Sequence, residues 1–248
     1  MRNELHNANF EQALIGRHLQ PGLPQPNLPT PGIMPGTQRR IADDFQLPVQ
    51  ECFVRMQFRR NQTIFREGEK HAHFYIVIDG IVRLCRYLPN GRRQITGFMF
   101  PGDSFGLDLE PTCSATAEAA HDIDILCYSL PKVVFLVDAN RPLQKQLLAS
   151  MSREIQTVQK HLLTLGQRTA LGRVAYFLVM LSERNGNKPD IPFEIPMSRS
   201  DIADYLGLTL ETVCRAISQL KRKRLVAMSR KRQIVLKNID ALRALSGG

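Results

Sequence analysis

The stretch from Ser198 to Val226, SRSDIADYLGLTLETVCRAISQLKRKRLV, constrains the fold more tightly than any other part of the chain. Ser198 is a residue type that caps helices, and Asp201 three residues on places a carboxylate in the first turn, where the helix dipole favours it. Ile202, Tyr205 and Leu206 form the apolar stripe of this first helix. Gly207 suits the left-handed conformation that ends a helix. Thr209 then caps a second helix running to about Lys223, with Val213, Ala216, Ile217 and Leu220 as its buried face. Ala203 is small where the two helices must cross, and Val213 packs back between them. Two short helices around a glycine turn make a helix-turn-helix.

The second helix then leaves Leu210, Glu211, Cys214, Arg215 and Ser218 on its outer face. The N-terminal part of such a recognition helix faces base edges in the major groove. Arginine can pair bidentately with guanine, and glutamate can accept from the cytosine amino group. Leu210, Glu211, Cys214 and Arg215 are therefore the candidate base-contacting residues. Thr209, Ser218, Lys221, Arg222, Arg230 and Lys231 are the candidate phosphate contacts. The charge distribution agrees. Eleven Lys/Arg against four Asp/Glu lie between Ser198 and Arg243, giving +7 over 46 residues and leaving +3 of the total +10 for the other 202. A basic module of this kind suits a polyanion partner.

At 248 residues the chain has room for one large domain or two ordinary ones. It carries no uncharged apolar run long enough to span a bilayer and no apolar leader in MRNELHNANFEQ, so no membrane partner and a cytoplasmic location are expected. Its five cysteines, Cys52, Cys85, Cys113, Cys127 and Cys214, are widely spaced with no CxxC, which argues against a disulfide framework or a zinc knuckle. Four of them read as small buried hydrophobes. His71 and His73 in KHAHF read as polar residues at a strand end. Neither a metal nor a cofactor is expected, and the chain has no nucleophile–base set or P-loop that would make it an enzyme.

Four segments follow. Residues 1–40 hold six of the fifteen prolines, an extension of polyproline or irregular conformation with a possible short helix across Phe10–Leu19. Residues 41–140 contain the β-rich runs TIFREGE, HFYIVIDG, IVRLCRYLPNG, RRQITGFMFPGD and IDILCYSL, punctuated by glycines, with Asn90-Gly91 as a hairpin signal; they predict a β-roll. Residues 141–166 predict one long helix. On it Leu148, Met151, Ile155, Val158, Leu162 and Leu165 recur at alternating spacings of three and four, a narrow seam that suits a partner helix and hence a parallel homodimer. Residues 167–248 form the basic module. A helix carrying Leu171, Val174, Ala175, Leu178, Val179 and Leu181 precedes a short strand in IPFEIPMS. After the two central helices come Val226–Met228 and Gln233–Leu236, a small hairpin. The fold class is thus α+β: an N-terminal roll, a long dimerisation helix and a C-terminal winged helix-turn-helix.

In this order of parts, and in the motif DYLGLTLETVCRAISQLKRKRLV, residues from about 50 to 240 resemble the family of the cyclic-AMP receptor protein and the fumarate-nitrate reduction regulator. The motif is similar to that family's Leu-Gly-x-Thr-x-Glu-Thr-x-Ser/Cys-Arg signature, and the chain looks most like its FixK-type members. The resemblance implies a homodimeric activator of low-oxygen genes that works with RNA polymerase and recognises palindromes near TTGA-spacer-TCAA. It also implies base contacts by Leu210, Glu211, Cys214 and Arg215. Leu210 departs from the cyclic-AMP receptor branch, which has arginine there, and a different outer base preference is expected.

The resemblance further implies a place for a sensor, and the residues speak against the known types. Phe105-Gly106-Leu107 stands where the receptor branch has its Gly-Glu, and Thr112-Cys113-Ser114-Ala115 replaces its Arg-Ser-Ala. A buried cyclic phosphate without its cation would be costly, so no cyclic-nucleotide response is expected. The first 51 residues hold no cysteine for an iron–sulfur cluster. Cys214 remains: beside Arg215 and near a helix N-terminus it suits thiolate formation, and its oxidation would set negative charge against DNA. The rival expectation is an effector-binding signalling protein whose basic module contacts RNA or an acidic protein.

Overall fold

The computed structural model describes residues 53–107, 110–167, 169–186, 190–230 and 232–246. The proline-rich extension, the Phe10–Leu19 helix, Cys52 and Lys231 lie outside the described residues, as do the side chains of Ser229 and Arg230.

Eight strands build the roll: β1 (Phe53–Phe58), β2 (Thr63–Phe65), β3 (His73–Asp79), β4 (Val82–Tyr87), β5 (Arg93–Met99), β6 (Ser104–Phe105), β7 (Thr116–Ala119) and β8 (Ile123–Ser129). They form two four-stranded antiparallel sheets, ordered β1-β8-β3-β6 and β2-β7-β4-β5. The β3 strand reads as an unbroken apolar run because both its faces are covered. Tyr75 and Val77 enter the roll interior, while the alternate residues Phe74 and Ile76 pack with Tyr128 and Val133 of the following helix, α1 (Leu130–Ala139). The β4–β5 connection closes with Leu88 N–H to Arg92 O at 2.9 Å and Gly91 N–H to Leu88 O at 2.8 Å. Gly91 sits at φ +77°, as a turn followed by a left-handed residue requires. Strands β1, β6 and β7 were not among the expected runs. In β1, FVRMQF, Arg55 and Gln57 break the apolar run; β6 has two residues; and β7 is TAEA, whose alanines and glutamate carry weak strand preference.

The long helix α2 spans Arg141–Gln167. The C-terminal module follows with α3 (Ala170–Arg184), β9 (Phe193–Glu194), α4 (Arg199–Leu206), α5 (Leu210–Arg222), β10 (Val226–Arg230), β11 (Gln233–Leu236) and α6 (Ile239–Leu245). The wing sheet has the order β10-β11-β9. Asn238 starts α6 by accepting from the Ala241 N–H at 2.9 Å. Val174, Phe177, Leu178 and Leu181 of α3 form the module's core with Ile202, Leu206, Val213 and Leu220. That apolar cluster also takes in Ile81, Cys85, Ile95 and Phe98 of the roll, with the Phe98 ring 5.2 Å from that of Tyr205.

Along α2 the expected seam is open to solvent: Leu148 is 66% exposed, Ile155 57% and Leu162 61%, with Met151 and Val158 also exposed. Leu165 differs. It is half-buried, and a methyl group at Gly207 would come within 3.9 Å of its Cδ2. The last turn of the stripe therefore faces the chain's own helix-turn-helix.

Candidate nucleic-acid interface

Helix α4 begins with a closed capping box. Ser198 Oγ accepts the Asp201 N–H at 3.0 Å, and Asp201 Oδ2 accepts the Ser198 N–H at 3.1 Å. It ends at Gly207, whose φ of 62° and ψ of 39° put it in the left-handed region. This turn also brings Thr209 to the head of α5, where its hydroxyl accepts the Thr212 N–H at 3.3 Å. The turn is braced from outside: Arg173 of α3 donates to Leu206 O at 3.0 Å and to Leu165 O at 2.6 Å.

Helix α5 divides cleanly. Val213, Ala216, Ile217 and Leu220 are buried, and Leu210, Glu211, Cys214, Arg215 and Ser218 are all exposed. The four candidate base contacts thus share one open face, with Thr209 at its head and Lys221 and Arg222 exposed at its far end. Arg230 and Lys231 cannot be added to this surface, since the side chain of the first and the whole of the second lie outside the described residues.

One contributor was missed. Thr212 Oγ1 stands 3.0 Å from Thr209 Oγ1 and accepts from Arg215 Nη2 at 3.2 Å, so it aims the arginine. The spacing of three residues on either side of Thr212 was the available signal. Arg199, in the first turn of α4, was also passed over. It lies close enough to Cys214 for the two to interact electrostatically, while burial pushes its guanidinium below the ordinary arginine range. Its Nη1 is buried without a hydrogen-bond partner among the described residues. The Glu211 carboxyl is held below the usual carboxylate range by its own backbone N–H first, then by the Thr209 hydroxyl and Arg215.

Residues 172–245 match the Crp-like helix-turn-helix domain, and residues 55–140 match the cyclic nucleotide-binding domain. The nitrogen fixation regulation protein FixK of Azorhizobium caulinodans is 36% identical over 191 residues, covering 76% of this chain and 77% of its own. The chain belongs to the CRP/FNR family. Within it the chain is similar to FixK proteins. FixK of Rhizobium meliloti is 37% identical over 188 residues, 76% of this chain and 85% of its own. The structure of FixK2 from Bradyrhizobium japonicum superposes with a TM-score of 0.74 at 36% identity, over 79% of this chain and 98% of the other. A FixK-type chain is a DNA-binding regulator of bacterial transcription, and its relatives are regulators rather than enzymes.

In this FixK-type chain three aromatic rings gather within the apolar interior of the roll. Tyr75 and Phe105 stack at 4.9 Å, and Phe65 lies 5.6 Å from Tyr75. Gly106, at φ +75°, admits no side chain, because a Cβ there would stand 2.9 Å from His73 O. His71 Nε2 is 2.9 Å from Gly106 O, and His73 opens β3. Among the described residues no three His, Cys, Asp or Glu side chains come together as a metal would need. No helix of the described residues is long and apolar enough to cross a membrane.

Proposed function

We propose that the protein is a homodimeric, cytoplasmic transcription activator of low-oxygen genes that reads a TTGA-spacer-TCAA-like palindrome and works with RNA polymerase. The observation that carries this reading is the open face of α5, where Leu210, Glu211, Cys214 and Arg215 stand exposed above a fully buried opposite side. Two copies joined along α2 would present two such helices one turn of DNA apart. Thr209, Ser218, Lys221, Arg222, Arg230 and Lys231 grip phosphate, and residues 41–140 form the roll that carries the module. The experiment is titration of the full chain with the palindrome and with a scrambled duplex across a salt series. Saturation on the palindrome alone supports the reading. Equal affinity for both duplexes, or preference for RNA, overturns it.

Cys214 acts as a redox brake in this reading. Hydrogen peroxide would deliver one oxygen to its thiolate, giving sulfenic acid and hydroxide, and a second equivalent would give the sulfinate. The sulfinate is anionic and larger than the thiol, so it repels phosphate and draws Arg215 away from its base. The other described cysteines suit this selectivity. Cys85, Cys113 and Cys127 are buried, and burial pushes the Cys85 thiol up to about 11 and the Cys127 thiol to about 12, so neither offers thiolate at neutral pH.

A further inference from the structure

Two arginines of the roll reach into the first helix of the helix-turn-helix. Arg83 of β4 is 5% exposed. Its Nε donates to Glu118 Oε2 at 2.8 Å, its Nη1 to Asp201 Oδ1 at 3.1 Å and its Nη2 to Asn61 Oδ1 at 3.1 Å. Arg93 of β5 donates through Nη2 to Asp201 Oδ1 at 2.8 Å and to Asp204 Oδ2 at 2.7 Å, and through Nε to Asp204 Oδ2 at 2.9 Å. Beside them Gln94 Nε2 donates to the Asp204 backbone carbonyl at 2.6 Å.

Asp201 is the hub. Its side chain is 2% exposed and its two oxygens are divided: Oδ2 closes the cap of α4 through Ser198, and Oδ1 takes both arginines from the roll. Burial disfavours the Arg93 cation, yet Asp204, Asp201 and Glu118 together raise its pKa above the ordinary value. A buried pair such as Arg83 and Asp201 adds little over an apolar contact, but removing one partner leaves uncompensated buried charge. The joint is therefore closed or open, with nothing favourable between. When it is closed, the reading face of α5 is still exposed, and no residue of the network lies on that face.

We propose that Arg83, Arg93, Glu118, Asp201 and Asp204 form a latch that holds the helix-turn-helix against the roll in the orientation that binds DNA. The claim of DNA competence rests on the reading given under Proposed function; the latch itself does not. An open joint leaves the two recognition helices of a dimer free to wander, so the apparent operator affinity is scaled down in proportion to the fraction of molecules still closed.

The test uses the full-length dimer with Arg93→Met, the milder Asp204→Asn, and the charge-conserving Arg93→Lys. Hydrogen exchange along β5 and α4 and operator titration are both measured. Arg93→Met and Asp204→Asn should each keep the circular dichroism and dimer mass of the parent, speed exchange along both elements, and weaken operator binding about fivefold or more. Arg93→Lys, which keeps the cation among Asp201, Asp204 and Glu118 but loses the forked contact, should lose less than Arg93→Met in both measurements. Unchanged exchange in both Arg93→Met and Asp204→Asn overturns the latch. Faster exchange with unchanged operator affinity overturns its role in DNA competence. A parent protein that ignores the palindrome defeats the DNA reading, while the exchange data still decide whether the latch exists.

Discussion

Arg215 and Lys221 lie on the same helix and should fail differently. Arg215 is exposed on the proposed reading face and hydrogen-bonded to Thr212, whereas Lys221 stands nearly two turns further on among the cations at the helix end. Arg215→Ala should cost about 1–3 kcal/mol on the operator and relax the preference for one base pair. Lys221→Ala should weaken every duplex alike and make the salt slope shallower by about one. Titrations on matched and mismatched duplexes at several salt concentrations separate the two, and identical behaviour of both variants would contradict this division. Cys214 gives a second test. Peroxide should abolish operator binding by the parent while leaving the dimer intact, Cys214→Ser should bind and resist, and Cys214→Asp should fail even when reduced. Loss of the serine variant at the parent's rate would place the sensitivity elsewhere. The exposed and buried faces of α5 were legible because helical spacing sorts residues into faces without any tertiary information. The latch was not legible. Arg83 and Asp201 are separated by 118 positions, and in the sequence Asp201 and Asp204 look like simple subtractions from the charge of the basic module. Their charge is in fact met by the roll, so less of it opposes the DNA than the sum implies.

At the scale of elements, the α2 stripe carries the next prediction. Ile155→Asp combined with Leu162→Asp sets like charges against each other across the proposed seam, and the protein should sediment as a monomer with weak operator binding. An unchanged dimer mass would exclude the seam. Periodicity found this helix and its apolar line readily, because six apolar residues at regular spacing within a 27-residue helix leave little ambiguity. It could not say that Leu165 leaves the line to pack near Gly207, since a stripe records which residues are apolar and not which neighbour covers each turn. The short strands show the opposite weakness. With two residues in β6 and four in β7 there is no period to detect, and these strands exist because β3 and β4 offer them edges. Helix α1 begins at a Leu-Pro pair immediately after β8 and was absorbed into the roll in the sequence reading, although proline is at home in a first helical turn.

For the molecule as a whole, three parts of the chain meet at one joint. The His161 ring of α2 stacks on Tyr205 of α4 with centroids 4.1 Å apart and planes 15° apart, so α2, the roll and the helix-turn-helix all meet on one short helix. Burial holds the pKa of His161 below the usual value, against a hydrogen bond with the Tyr205 backbone that raises it. Burial, and then the neighbouring His71, do the same to His73. Both depressed values act in one direction. Above the unfolded-chain value of about 6.5 the two states bind protons alike; below it the unfolded chain takes up protons that the folded chain refuses, and stability falls with pH. Melting temperatures measured from pH 7.5 to 5.5 should decline, and His161→Phe, which keeps a ring on Tyr205 and removes the titration, should flatten the decline. An unaltered slope would show that this histidine is not the source. The exposed α2 stripe has a consequence of a different kind. If reading DNA requires two copies, then at protomer levels below the dimer's dissociation constant operator occupancy rises with the square of concentration, and halving the supply cuts binding about fourfold. Synthesis and degradation of the chain would then regulate its target genes more steeply than they change its own abundance.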